Sequence, residues 1–426
     1  MTEHQLFLFL AEVVVLVAAA RLGGELAIRL GIAQVVGELV AGILLGPSLL
    51  GKLWQGGFQA LFPPDQAQRS FLELLSWIGV ILLVLLSGLE TRLGILRHVG
   101  KAVVTGWIGG FFLPFLLGFG LGWIVPRDLI GPGIARPVFA LFLATAMSIS
   151  AIPVIARILI DLELFQSRIG MLIISTAVAD DTVGWIVLAV VSGLALRHDF
   201  DAKTVTVALV GTGLFLVLAF TLGQWLVRRA LALSAKLRIP FGQATVILSI
   251  VFLGGAITQA IHVHLVLGSF VAGILIARSP GRDPATIDSI WRVGMGFFIP
   301  FFFGYTGIKV DVTTLTGSAL PIAALAVVVA CVGKFVGGGV GARIGGLSRW
   351  EALAVGTGLN ARGAMELVIA AIGVSIGVLT VPMYTIIVLI AVLTTLMAAP
   401  MLRYCVRRDE LARARPTPTR TEVLAS

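Results

Sequence analysis

Apolar runs of about 17 to 25 residues, the length a helix needs to cross a bilayer, recur thirteen times along this chain. Their approximate limits are 5–21, 33–50, 71–90, 101–125, 137–157, 169–196, 204–229, 239–260, 262–278, 292–309, 318–342, 351–374 and 380–402. The pattern predicts an all-α polytopic membrane protein. No basic stretch precedes the first run and no small-residue cleavage site follows it, so it reads as a retained helix and not as a signal peptide. Near 260–263 two runs meet with almost no loop.

Few ionisable residues interrupt the runs. Asp180, Asp181 and Glu366 fall inside predicted spans, and Glu12 and Glu38 lie nearer the ends of theirs, where interfacial or structural roles are expected. With the C-terminus cytoplasmic, 22 of the 31 Lys and Arg fall in inside loops and the tail and 7 in outside loops, which fits the positive-inside rule. The two left over, Lys334 and Arg362, lie within spans. An ionisable group at the bilayer centre costs roughly 2.5 to 3.5 kcal/mol on insertion scales and usually faces a cavity or a partner. Arg362 and Glu366 are four apart, hence neighbours on a helix face, so a structural ion pair is as natural there as a functional one.

Composition agrees with the membrane reading: 58% of residues are hydrophobic and 12% charged, against about 25% charged in a typical soluble domain, and the mean hydropathy is +1.04. The fifty glycines let transmembrane helices approach closely. The net charge of +9 sits mainly in short loops and the tail, where it sets orientation; no nucleic-acid partner is expected. Cys331 and Cys405 have no metal-ligand spacing, and neither a disulfide framework nor a zinc site is suggested.

Helix geometry separates the two aspartates of AVADDTVGW. Successive residues point about 100° apart around a helix axis, so Asp180 and Asp181 cannot aim at one point. This disfavours an intramembrane aspartyl protease, whose acids must converge to share a proton, and no enzyme activity is expected. A carboxylate in low dielectric needs a cation, a proton or a basic partner. Lys334, beside Gly337, Gly338 and Gly339, is the candidate partner for one acid, leaving the other for a hydrated ion.

Two segments are unfit to be straight helices. LATAMSISAIPVIARIL carries Thr145, Ser148, Ser150 and, in mid-span, Pro153; GTGLNARGAMELVIAAIG carries Gly356, Gly358, Asn360 and Gly363 beside Arg362 and Glu366. Broken helices at membrane depth are tolerated where they line a cavity, and their free backbone groups are ready ion ligands. Their positions follow an internal repeat. GELVAGIL at Gly37–Leu44 is echoed by GSFVAGIL at Gly268–Leu275, and SGLETRL at Ser87–Leu93 by TGIKVDV at Thr306–Val312, offsets of 231 and 219 residues. Six helices, a linker helix at 204–229 and six more follow, so the second copy enters the membrane upside down. Inverted repeats with paired broken helices mark secondary transporters.

Taken together, QVVGELVAGILLGPSLLG, LLSGLETRL, SISAIPVIARIL, AVADDTVGW, HLVLGSFVAGILIAR and LNARGAMELVIAAIG resemble the monovalent cation:proton antiporter 2 family, over about Gln34 to Pro400. The resemblance implies the sodium/proton antiporter fold, with inverted six-helix repeats and two broken crossing helices. It also implies a homodimer in which core helices (about 101–196 and 318–402) carry the ion by an elevator movement against panel helices (about 5–90 and 239–309). The transport domain would occupy 1–408 and a disordered cytoplasmic tail 409–426. By the same resemblance Asp181 binds the cation, Na+ or K+, or a proton, and Asp180 pairs with Lys334. Thr145, Ser148 and Ser150 line the site from one broken segment, and Asn360, Arg362 and Glu366 from the other.

The potassium-efflux members commonly carry Gln before the essential Asp, where this chain has Asp180, and a large nucleotide-binding domain; gating by such a domain is not expected here. LNARGAMELVIAAIG also resembles plant-type cation/proton exchangers, which leaves potassium open. The expectation is exchange of a monovalent cation, sodium first and potassium second, for protons, with no cofactor. The alternatives are a K+/H+ antiporter or K+ efflux protein, and more remotely a sensor or channel without coupling. Release of a second proton from Lys334 would make exchange electrogenic. The lipid bilayer expected is a bacterial plasma membrane, with the N-terminus outside.

Overall fold

The computed structural model describes residues 2–91, 100–196, 202–234, 239–261 and 264–414. In chain order the helices are α1 (Glu3–Arg29), α2 (Gln34–Leu45), the short α3 (Leu50–Leu53) and α4 (Gln55–Leu61), α5 (Gln66–Glu90), α6 (Lys101–Ile124), α7 (Arg136–Ser148), α8 (Ile152–Asp161) and α9 (Arg168–Leu196). There follow α10 (Ala202–Leu218), α11 (Gln224–Ser234), α12 (Gly242–Ala260), α13 (Leu265–Ala277), α14 (Pro284–Val293), α15 (Ile299–Ile308), α16 (Ala319–Ile344), α17 (Arg349–Leu359), α18 (Ala364–Ser375) and α19 (Val381–Ala414). Single π-helical turns, Ala219–Gly223 and Gly294–Phe298, join α10 to α11 and α14 to α15. Among the described residues the only β contact is one isolated bridge between Ile130 and Leu379.

Ten helical stretches among these residues are long and apolar enough to cross a membrane. The expected segments 137–157, 262–278 and 351–374 are instead the pair α7 and α8, the thirteen-residue α13, and the pair α17 and α18. Arg92, Arg97, Arg197, Lys236, Arg238 and the junction at 262–263 lie outside the described residues. Local signals explain several starts. Thr2 and Ser348 each form a capping box, with Gln5 and Glu351, and Asp65 and Asp283 accept from the first free amides of α5 and α14.

Two boundaries differ from the sequence expectation. Pro153 does not kink a helix in mid-span: the helix stops at Ser148, and Pro153 sits in the first turn of α8, where its missing amide hydrogen breaks no bond. The tail expected to be disordered from residue 409 begins in helix, because α19 runs on to Ala414. Asp409 holds that extension by accepting a 2.7 Å bond from Ser348 Oγ, and Tyr404 packs on Trp350 with ring centroids 6.0 Å apart. Residues 415–426 lie outside the description.

The helices pack in two groups. α5 packs against α1, α12, α13 and α15, and α2 against α1 and α15; α6, α7, α9, α16, α17 and α19 pack on one another. α10 lies on α9 while α11 lies on α12 and α13.

The inverted repeat is visible in glycine contacts. Shifting Gly42 by 231 residues gives Gly273, and shifting Gly88 by 219 gives Gly307; Gly42 packs on Gly307, and Gly273 on Gly88. A Cβ on Gly307 would stand 2.3 Å from Leu39 O, and one on Gly88 would stand 2.4 Å from Phe270 O, with Leu39 and Phe270 again 231 apart. Backbone fills each gap, so no side chain can yield. Gly307→Ala is expected to destabilise the protein by about 1 to 3 kcal/mol through overpacking. Gly120→Ala, where a Cβ meets nothing within 4 Å, should leave thermal stability in detergent unchanged.

Candidate ion-binding site at the helix crossing

The two broken helices meet at their breaks. Ala151 N donates to Ala361 O at 3.2 Å, and the Ser150 hydroxyl lies 2.8 Å from Leu359 O. Gly363 allows the second break, since its φ of +152° and ψ of −114° are open only to glycine. Each broken helix leaves carbonyls at its C-terminal end without intrahelical partners, carrying the negative end of the helix dipole.

Both buried cations answer the end of α7. Arg362 donates from Nη1 to Ala146 O at 3.0 Å and from Nη2 to Met147 O at 2.5 Å. Lys334 Nζ donates to Ser148 O. Arg362 also reaches Glu366 Oε1 at 3.3 Å, while Thr395 on α19 donates to Arg362 O. All of these side chains are buried.

The aspartates of α9 meet different partners. Asp180 Oδ2 accepts from Lys334 Nζ at 2.6 Å, and the Ser150 hydroxyl lies 2.6 Å from the same oxygen. Ser150 has one proton for two acceptors, Asp180 and Leu359 O, so it ties the carboxylate to the end of α17. Asp181 Oδ2 accepts from Ser87 Oγ at 2.9 Å, and Ser87 lies on α5 in the other helix group. Four buried oxygens here make no hydrogen bond to the protein, Asp180 Oδ1, Asp181 Oδ1, Asn360 Oδ1 and Glu366 Oε2, although the indole of Trp185, one turn along α9, lies close enough to Asp181 to interact with it. Buried acceptors are seldom left unmade. Unpaired carboxylate and amide oxygens are the donor set a hard monovalent cation takes when it sheds water. Among the described residues no three His, Cys, Asp or Glu converge as ligands for a metal ion.

Not every expected lining residue faces this centre. The hydroxyl of Thr145 donates to Leu141 O and that of Ser148 to Thr145 O, so both are spent within α7 and Ser148 contributes its carbonyl instead. Asn360 offers its amide to Cys331 Sγ at 3.8 Å. Glu12 and Glu38 stand apart, each buried and held by a neighbouring amide, Gln68 at 2.6 Å and Gln34 at 2.7 Å. Ser87 was missed, because a serine near the end of an apolar run carries no signal of what it will face. A cavity of about 360 Å³ between α2, α5, α8 and the α14–α15 stretch is lined by Gln34, Glu38, Glu90, Arg157 and Phe303 and reaches Ser87.

Residues 13–407 match the family described as sodium/hydrogen exchanger, transmembrane. The Na(+)/H(+) antiporter NhaS4 of Synechocystis is 33% identical over 404 residues, covering 94% of this chain and 98% of that protein. Cation/H(+) antiporter 17 of Arabidopsis thaliana is 31% identical across 94% of this chain, which spans 48% of the plant protein's length. The solved sodium proton antiporter MjNhaP1 of Methanocaldococcus jannaschii superposes with a TM-score of 0.64 at 15% identity, over 94% of this chain and 98% of that one, so the two share a fold. A match over nearly the whole chain, with two broken helices crossing beside an acid pair, places this chain in the transmembrane sodium/hydrogen exchanger family.

Proposed function

We propose that the protein exchanges a monovalent cation, sodium in preference to potassium, for protons across a bacterial plasma membrane. The observation that carries this reading is Asp181: buried, anionic when deprotonated, and with one carboxylate oxygen that makes no hydrogen bond to the protein. Deprotonated, it binds a partly dehydrated cation together with oxygens of the broken segments; protonated, it loses that ligand. Cation and proton therefore exclude each other at one carboxylate. Arg362 and Lys334 neutralise the end of α7 and keep the crossing in place beside the ion, while Asp180 holds Lys334.

In this reading α6–α9 and α16–α19 are the moving core, α1–α5 and α12–α15 the panel that forms the homodimer, and α10–α11 the linker between them. Ion and proton are carried as the core shifts against the panel. The N-terminus lies outside and the C-terminus in the cytoplasm. The plant-type LNARGAMELVIAAIG segment favours potassium as the second cation.

Purified protein in liposomes, given sodium, potassium and lithium in parallel against an imposed pH gradient, tests the proposal. Sodium should collapse the gradient at the lowest concentration and potassium at a higher one. Cation flux indifferent to the proton gradient would make the protein a channel, and a gradient untouched by any cation would remove the transport reading. In the same assay Lys334→Gln should lower the net charge moved per cycle; an unchanged value would exclude Lys334 from proton coupling.

A further inference from the structure

The hydrogen bond from Ser87 to Asp181 joins two bodies that the transport cycle must separate. Ser87 sits in the last turn of α5, a helix packed on α1, α12, α13 and α15, whereas Asp181 belongs to α9, packed on α6, α7 and α17. The bond is 2.9 Å long and fully buried. It is charge-assisted while Asp181 is ionised, and it weakens when a proton or cation on the free Oδ1 takes up the charge the two oxygens share.

The geometry points to Ser87 as a latch that holds the core against the panel while Asp181 is ionised and empty. The inference rests on the exchange reading above and specifies what keeps that exchange coupled. An antiporter fails if its unloaded carrier reorients, because a proton or cation carried one way is then followed by an empty return, and exchange becomes leak. Ionised Asp181 with nothing bound accepts fully from Ser87, and movement would strand both groups in a low-dielectric boundary. A bound cation or proton competes for the same carboxylate and weakens the bond, so the loaded core is released.

The surroundings suit this task. The cavity between the two groups reaches Ser87, so an ion arriving from that side meets the bonded pair first. Asp180 on α9 and Glu90 on α5 are the acidic groups whose charge reaches Asp181. Lys334 from α16 is held by Asp180, and Arg362 by Glu366 and α7, while Arg157 of α8 and Glu38 of α2 are the other charged groups lining the cavity that reaches Ser87. At the repeat-related position 219 residues on, Thr306 of α15 makes a second bond across the boundary: its carbonyl accepts from the Tyr384 hydroxyl of α19 at 2.7 Å. That bond joins a neutral phenol to a backbone carbonyl and includes no carboxylate, whereas the Ser87 bond ends on the carboxylate that takes up the ion.

Ser87→Ala tests the inference, with proton flux measured in proteoliposomes free of sodium, potassium and lithium under an imposed pH gradient. Wild type should hold the gradient until cation is added. The variant should still exchange when cation is added but leak protons without it, faster than wild type by roughly ten- to hundredfold, the range a hydrogen bond to a charged group is worth. Ser87→Thr, which keeps the hydroxyl, should restore tight coupling. A Ser87→Ala protein as tightly coupled as wild type would overturn the latch, and so would a folded variant that neither leaks nor exchanges, since Ser87 would then be an ion ligand. Should Ser87→Ala not purify folded, Ser87→Cys, with its weaker S–H donor, must leak at an intermediate rate, and its failure to leak overturns the inference equally. Absence of cation-dependent exchange in wild type would instead refute the transport reading itself.

Discussion

Asp181→Asn is expected to abolish cation-for-proton exchange. The substitution preserves shape and can still meet Ser87, but an amide takes up no proton between pH 5 and 9 and offers a cation one neutral oxygen in place of a charged pair. Asp180, Ser150 and Lys334 remain bonded to one another, at 2.6 Å in both contacts of Asp180 Oδ2, so the crossing has no reason to collapse. The expected result in everted vesicles is loss of gradient dissipation to the level of empty vesicles for every cation, from protein inserted at normal abundance. Asp180→Asn supplies the contrast. It removes the partner of a buried lysine, an event costing roughly 3 to 5 kcal/mol for a buried pair, and should reduce the amount of folded protein before it reduces ion binding. Exchange at the wild-type rate by Asp181→Asn would sink the assignment of the ion to this carboxylate.

That contrast between neighbouring acids was legible in the sequence because a helix turns a fixed angle per residue, whatever surrounds it. Lys334 was legible for a different reason: sorting cations by side of the membrane leaves few that must be buried, and a buried lysine needs an acid. The glycine-rich break at Asn360–Gly363 could be read from residue types, since Gly363 adopts a conformation closed to other residues. The other break could not be placed so well. Proline suits a first helical turn as readily as a kink, and three residues of ordinary character, Ile149, Ser150 and Ala151, carry the actual interruption. The hydroxyls of Thr145 and Ser148 turned inward because a hydroxyl in a helix can always reach the carbonyl three or four residues back. Which helix would lie against Asp181 depends on packing between two distant parts of the chain, and this is why Ser87 stayed invisible.

Arg362 carries the largest expected loss of stability. Its guanidinium is wholly buried and serves three acceptors at once, Ala146 O, Met147 O and Glu366 Oε1. Arg362→Ala would strand two helix-terminal carbonyls and a carboxylate, and breaking a buried pair from one side costs roughly 3 to 5 kcal/mol. Lysine is no substitute, because one ammonium cannot present a planar fork to acceptors on two helices; Arg362→Lys should recover only part of the loss. The informative comparison is Arg362→Leu combined with Glu366→Leu, which removes the stranded carboxylate along with its partner. If the ion pair is the main term, this double variant melts above Arg362→Ala in detergent. If the carbonyls of α7 are the main term, the two melt together, since neither variant supplies a donor to Ala146 and Met147. The structure favours the second outcome: the bonds to the two carbonyls, 3.0 and 2.5 Å, are shorter than the 3.3 Å contact to Glu366. An Arg362→Ala protein as stable as wild type would show that Lys334, through Ser148 O, secures the end of α7 alone.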